Sequence, residues 1–315
     1  MGSYYKFDRL NSDRVLSFYS QKPMDFGGAA LEGEGRRKLI EEIERDFGYR
    51  FRCVAKCTRQ VHGDGIIIVD EDRLSQAAGL TDAGRAAGVP AGQPLAGREE
   101  EDSLPTDPVF VGEADGLLTD LPGVALEIHT ADCQSVFLYD PVRGVAGNVH
   151  SGWKGTAQKI VPKAVSLMRG HYGCRPEEIE VYINPSILGC CFEIEEDVVD
   201  RFRAIVDVTK YCRKDRIVNG RQKYYMDTAA VNRDLLIGMG VLPEHVFLSG
   251  VCTMCSVPAY HSCVDASSAG TNKSLKKTRF ARLPKMQDSL CEHLYHSYRG
   301  DHHKTGRNGS MICLK

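Results

Sequence analysis

A thiol and two imidazoles are the groups in this chain best placed to do chemistry together. Cys133 closes the word Thr130-Ala131-Asp132-Cys133, His150 opens His150-Ser151-Gly152-Trp153-Lys154-Gly155, and His62 sits in the polar turn Arg59-Gln60-Val61-His62-Gly63. A soft thiolate with neutral imidazoles suits a catalytic zinc site, in which three protein groups leave a fourth position to water or substrate. Cys133 and His150 alone would equally serve as a nucleophile and its base. A lone cysteine at a strand end is also a common small buried hydrophobe. Residue types and spacing leave these readings open.

A hairpin must do the positioning. Residues 124–128 and 135–139 are apolar, partly β-branched runs of strand length, and Asp140-Pro141-Val142-Arg143-Gly144 is a turn signal. Residues 135–139 and 145–149 therefore pair as a hairpin that carries His150 back towards Cys133. Residues 66–69, just after His62, and 179–183 also read as strands. Thr156 reads as the cap of a helix with Ala157, Ile160, Val161, Ala164, Val165 and Met168 on one face, Pro162 falling in its first turn or at a kink. Residues 32–47, 195–205 and 228–239 read as further helices. The first turns Leu39, Ile40, Ile43 and Phe47 inward, and its charged residues read as a solvated face. Hairpins and helices without strict βαβ alternation indicate an α+β fold, with helices covering a mixed or mainly antiparallel sheet.

Composition narrows the function classes. Of 315 residues, 42% are hydrophobic and 26% charged, as in an ordinary globular chain. Lys plus Arg number 40 against 42 Asp plus Glu, a balance that argues against a general electrostatic grip on nucleic acid or membrane. With neither a secretory signal nor a long apolar run, the expected location is cytoplasmic, and the 12 cysteines read as reduced thiols. Cys252-x-x-Cys255 has no second CxxC or HxxxH beside it, so of its two readings, half of a structural zinc site or packing after a buried strand, the second is favoured. The expected organisation is a single domain over 1–315, with an N-terminal extension of about 1–50 and surface insertions of about 72–106 and 256–290. The first insertion is rich in Ala, Gly and charge, and the second carries a basic run read as solvated surface.

Several words in order identify the chain as resembling the YfiH-like or laccase-domain proteins, formerly called multicopper polyphenol oxidases and later recognised as purine nucleoside enzymes. They are RQVHG (59–63), EADGLLT (113–119), TADC (130–133), HSGWKGT (150–156), INPSIL (183–188), CFEI (191–194), YYMDTAAVN (224–232), Cys252-Thr253 and SYRGDHHKTGR (297–307). The resemblance implies a layered α-β-β-α fold and zinc held by His62, Cys133 and His150. It also implies phosphorolysis of adenosine, inosine and methylthioadenosine, and deamination of adenosine, with purine nucleosides and phosphate as partners. Two words differ from the family pattern: Gly300 stands where a second Arg is usual, and Asn184-Pro185 replaces the common Gly-Pro.

That chemistry assigns expected roles. Zinc with an open position supplies hydroxide near neutral pH, and deamination then needs a carboxylate to move protons, for which Asp132 and Asp115 are the candidates. Phosphorolysis needs cations on phosphate; Arg59, Lys154, Arg299 and Arg307 lie in the shared words, and Trp153 either walls the pocket or packs beneath it. Three other readings compete. A copper phenol oxidase needs several His-rich clusters, whereas the chain has 10 His and no HxH pair. A metal-free Cys-His hydrolase would use Cys133 and His150, and a non-catalytic zinc or nucleoside-binding module would use the site without turnover.

Overall fold

The computed structural model describes residues 4–27, 33–77, 108–255 and 294–315. Two six-stranded sheets face one another. The first orders, edge to edge, β1 (Tyr4–Tyr5), β2 (Val15–Ser20), β15 (Asn308–Leu314), β7 (Val124–Thr130), β3 (Cys53–Lys56) and β5 (Val109–Phe110). The second orders β14 (Val246–Leu248), β10 (Glu180–Ile183), β8 (Gln134–Asp140), β9 (Val145–Ser151), β6 (Gly116–Thr119) and β4 (Ile66–Ile68). A small third sheet joins β11 (Glu193–Glu195), β13 (Arg221–Met226) and β12 (Cys212–Val218). Pairing is mostly antiparallel, with parallel contacts at β3–β7, β3–β5, β4–β6 and β10–β14.

Side-chain alternation builds the layers. Along β15, Ile312 and Leu314 enter the core between the sheets, while Met311 and Cys313 face outward. Along β8, Phe137 and Tyr139 face inward, and Val136 and Leu138 face outward. Helix α1 (Glu34–Phe47) lays Ile40 and Ile43 on the outer face of the first sheet, against Leu16, Phe18 and Met311. Helices α4 (Ile160–Tyr172) and α6 (Thr228–Gly238) cover the second, placing Ile160, Val165, Met168 and Leu236 over Val136, Leu138 and Val149. The arrangement is the expected α-β-β-α stack of an α+β fold.

Several local expectations change. Residues 153–172 form two helices, because Lys159 takes a left-handed φ of 60° between α3 (Trp153–Ala157) and α4. Thr156 therefore caps nothing; its hydroxyl donates to Gly152 O at 3.0 Å. Pro162 lies in the first turn of α4, where its missing N–H breaks no helical bond. Within residues 1–50, the fully buried β2 pairs with both β1 and β15 inside the first sheet. Of residues 72–106, the first six lie in α2 (Glu71–Ala77), whose Leu74 is buried against the inter-sheet core. The rest of that segment, and residues 256–290, lie outside the described residues. No helix among the described residues is long and apolar enough to cross a membrane.

Candidate metal centre and its cavity

The hairpin register places the site. Ser135 pairs directly with His150, so the alternation that turns Phe137 into the space between the sheets also turns Ser135, Cys133 and His150 that way. The Ser135 hydroxyl donates to Asn148 Oδ1 at 3.0 Å, and Asn148 Nδ2 donates to Leu126 O and Ser310 O, fastening the two sheets together behind the site. His62 arrives on the turn before β4 with a left-handed φ of 59°. Its ring stands edge-on to that of His150, the centroids 4.7 Å apart. One ligand atom each from His62, Cys133 and His150 lies within 4.8 Å of the others. Gly152 makes this convergence possible, since a Cβ there would come within 3.0 Å of Cys133 Sγ and 3.3 Å of His62 Cδ2.

Electrostatics couple Cys133 and His150 as a thiolate and an imidazolium, whose proton a metal would displace. Burial pushes the Cys133 thiol up, but hydrogen-bonded His150 and His62 more than reverse it, to about 6. Burial alone would lower His150; Cys133 and Asp115 instead raise it to about 9. Asp115, fully buried, holds this frame. Its Oδ1 lies 2.8 Å from His150 Nδ1 and accepts the His62 N–H at 2.9 Å, and its Oδ2 accepts the Gly63 N–H at 2.7 Å. Burial opposes charge on Asp115, yet these donors hold the carboxyl below its ordinary range. With Nδ1 tied to a carboxylate, His150 turns Nε2 towards the thiol, the usual support for a metal-ligating histidine. Two imidazoles and a polarised thiolate converging on one point fit a zinc ion in donor type and number.

A cavity of about 1050 Å³ opens from these three residues. Arg36, Lys56, Gln60, His129 and Arg307 supply polar lining, and Phe26, Phe110 and Tyr298 supply rings. The charged wall centres on Glu127, which is fully buried and pairs with Arg36, with His129 Nε2 at 2.6 Å and with Lys56 Nζ at 3.7 Å. Gln60 copies a strand edge: its Nε2 donates to His129 O at 2.8 Å and its Oε1 accepts the His129 N–H at 2.9 Å.

The other expected site residues divide around this cavity. Arg307 lines it. Arg59 is 68% exposed, pairs with Glu113 at 2.9 Å, and is not among the lining residues. Arg299 donates through its guanidinium to Glu193 O at 3.2 Å, with its charge over Phe192. Trp153 packs into the cluster around Ile187 and Phe192, with Lys154 Nζ 5.7 Å above its ring. Asp132, at a left-handed φ of 84°, accepts hydrogen bonds from Thr253 Oγ1 at 2.6 Å, Ser297 Oγ at 2.7 Å and the Arg299 N–H at 2.7 Å. Burial outweighs these donors and pushes its carboxyl up. Asp132 thus ties three segments together beside Cys133. Asn184 turns its side chain inward, donating to Ser135 O at 3.2 Å, and a Cβ at Gly300 would meet Ser297 Oγ at 3.0 Å.

Sequence reasoning passed over Arg36, Lys56, Gln60 and His129. The solvated reading of α1 fails at Arg36 and Glu44, both buried. A signal was present, because Arg36, Ile40, Ile43 and Phe47 fall on one helical stripe.

The chain is 32% identical over 201 residues to a protein of Bacillus subtilis named purine nucleoside phosphorylase YlmD, covering 64% of this chain and 59% of that one. It is 31% identical over 150 residues to a protein of an unknown prokaryotic organism named adenosine deaminase RL5, covering 47% and 55% respectively. It thus spans little more than half the length of these relatives. The crystal structure of YlmD from Geobacillus stearothermophilus superposes with a TM-score of 0.67 at 20% identity, over 100% of both chains, and shares the fold. The profile of the family described as multi-copper polyphenol oxidoreductase laccase matches residues 34–278, and the chain belongs to that family.

Proposed function

We propose that this protein is a zinc-dependent purine nucleoside enzyme that carries out phosphorolysis of adenosine, inosine and methylthioadenosine and deaminates adenosine. The observation that carries the reading is the meeting of His62, Cys133 and His150 at the wall of a basic, ring-lined cavity. Its volume is of the order of a small-molecule site, roughly 300–1,000 Å³. Phe110 and Tyr298, 49% and 45% exposed, bring aromatic surface to the cavity, with one face of Tyr298 already stacked on His303 at 4.3 Å between centroids. Lys56 and Arg307 offer positive charge to phosphate. The names of the relatives point to the same two reactions.

His62 Nε2 or Nδ1, Cys133 Sγ and His150 Nε2 would hold the ion, with Asp115 fixing the His150 tautomer. When bound, zinc acidifies a water or polarises a substrate oxygen. In phosphorolysis the bond from C1′ to purine N9 breaks, an oxygen of hydrogen phosphate takes C1′, and the departing base takes the proton that the phosphate gives up; Arg307 and Lys56 bind the phosphate. In deamination water adds at C6 and ammonia leaves; Asp115, held ionised, orients rather than donates. Asp132, whose oxygens accept from Thr253, Ser297 and the Arg299 N–H and which is not among the lining residues, holds the backbone beside Cys133 in place. Contact with Phe110 and with the Tyr298–His303 stack keeps bulk water from the purine.

Phenol oxidation by several copper ions is a poorer match, because among the described residues only one potential metal group contains imidazole. The Cys133–His150–Asp115 line favours a second reading, a metal-free hydrolase with Cys133 as nucleophile. It leaves His62 without a role. The test is turnover of a purine nucleoside panel with and without phosphate, beside metal analysis. The zinc reading expects phosphate-dependent release of base that stops on chelation and returns with zinc. Activity that survives chelation, with covalent trapping of Cys133, would replace it by the hydrolase.

A further inference from the structure

Four more sulfurs meet on the other side of Asp132. A tight turn, in which the Cys191 and Phe192 N–H groups both donate to Leu188 O at 2.9 Å, presents the adjacent Cys190 and Cys191. The segment after β14 brings Cys252 and Cys255 to the same point. The two limbs are already fastened, because Ser186 N–H donates to Val251 O at 3.2 Å and Thr253 N–H donates to Ser186 O at 3.1 Å. The four Sγ atoms all lie within 4.8 Å of one another, and those of Cys190 and Cys255 are 3.6 Å apart.

That spacing selects a ligand. Zn–S bonds of roughly 2.3 Å in a tetrahedron place the sulfurs about 3.8 Å apart, so these thiols need little movement to enclose one ion. They stand too close together to straddle a polynuclear iron–sulfur cluster. Cys252 is buried, and the group packs among Ile187, Phe192 and Val231. Cysteine as a small hydrophobe explains one such residue, but not four aimed at a common centre. Soft sulfur in a closed four-ligand set is the donor pattern of structural zinc.

We propose that Cys190, Cys191, Cys252 and Cys255 bind a structural zinc ion, distinct from the centre at His62, Cys133 and His150. Each thiol loses its proton to solvent as its Zn–S bond forms, and the metal keeps its oxidation state. The ion pins the limb of Cys252 to the turn at Cys190. Thr253, on the pinned limb, holds Asp132, and the Ile187 N–H donates to Asp132 O at 2.8 Å on the other. Asp132 precedes Cys133, so the closed site braces the backbone beneath the open one.

Metal content decides the matter without reference to turnover. Protein prepared with zinc and freed of loose metal should hold about two equivalents per chain, given one ion per ligand set. Cys190→Ser/Cys255→Ser should lose one and keep the other, while His62→Ala/Cys133→Ser should lose the complementary one. If the cysteine variant fails to fold, cobalt replaces zinc in the wild-type chain and in His62→Ala/Cys133→Ser. The latter should retain strong sulfur-to-cobalt absorption from a tetrahedral thiolate site. Retention of no metal by His62→Ala/Cys133→Ser overturns the proposal, as does a Cys190–Cys255 disulfide in freshly purified, metal-free protein. Loss of neither metal in that variant would instead count against the three-ligand centre alone.

Discussion

Two sulfur-bearing groups flank Asp132, and they differ in what stands around them. His62, Cys133 and His150 end at a cavity and have a carboxylate, Asp115, behind one imidazole. Cys190, Cys191, Cys252 and Cys255 form a set of four packed against a hydrophobic cluster. Three ligands facing space leave a position for substrate; four ligands facing one another leave none. On the proposed readings the first arrangement serves chemistry and the second serves shape, although both lie at the same end of the second sheet, His150 on β9 and the others on the segments that flank its strands.

The sharpest way to break this contrast is at Cys133. A neutral hydroxyl is a poor replacement for thiolate, so Cys133→Ser should empty the three-ligand centre and abolish turnover while leaving the tetrathiolate group loaded. Plasma mass spectrometry of the purified variant checks it. Wild-type metal content would remove Cys133 from the ligand set.

Next in size is the charged wall. Complete burial opposes ionisation of Glu127, yet Arg36, His129 and Lys56 hold its carboxyl far below the ordinary range. Glu127→Gln would leave Arg36 as a buried, unpaired charge, and loss of one partner of such a pair costs about 3–5 kcal/mol. The pH dependence has a definite sign. A depressed carboxyl binds fewer protons in the folded than in the unfolded chain, so its contribution is complete above the unfolded value of about 4.3 and declines as pH falls below it. Denaturant melts between pH 7 and 3 should show that decline in the wild type and a shallower one in Glu127→Gln. Parallel curves would mean that Glu127 carries no such linkage.

The two aspartates give a finer contrast. Asp115→Asn removes the anion that orients His150, and loss of such a support typically weakens metal affinity by about 10–100-fold. Asp132→Asn should act on stability instead, by about 1–3 kcal/mol, because Thr253, Ser297 and the Arg299 amide between them use both carboxyl oxygens and an amide offers only one acceptor atom. Competition with a zinc chelator separates the two effects. Equal losses of affinity would show that Asp132 also shapes the centre.

How much of this was legible follows from the range of the interactions. The β8–β9 hairpin and the stripe on α4 are local patterns, and they brought Cys133 and His150 together on paper much as in the fold. The Arg36–Glu127 pair spans 91 residues, and nothing local marks a charge on an amphipathic helix as buried. Cys252-x-x-Cys255 looked incomplete because its other half is the adjacent pair Cys190-Cys191, joined to it only through tertiary pairing. The β12–β13 hairpin was missed although Asn219-Gly220, both at positive φ, is a strong turn signal. The charged run of β12 hid its strand character.

The smallest expected effect separates two arginines that the shared words treat alike. Arg307 lines the cavity, its guanidinium donating to Gly306 O at 3.1 Å, whereas Arg59 is exposed and already paired with Glu113. A charge-assisted contact to phosphate is worth about 1.5 kcal/mol or more, so Arg307→Ala should slow phosphorolysis about tenfold and spare deamination, which binds no phosphate. An exposed ion pair contributes roughly 0–1 kcal/mol, so Arg59→Ala should change either rate only a few-fold. Phosphate titrations at saturating nucleoside give the comparison directly. If Arg59→Ala proves the more damaging to phosphorolysis, the phosphate lies on the Glu113 side of the centre, and Arg307 is part of the wall without a share in binding it.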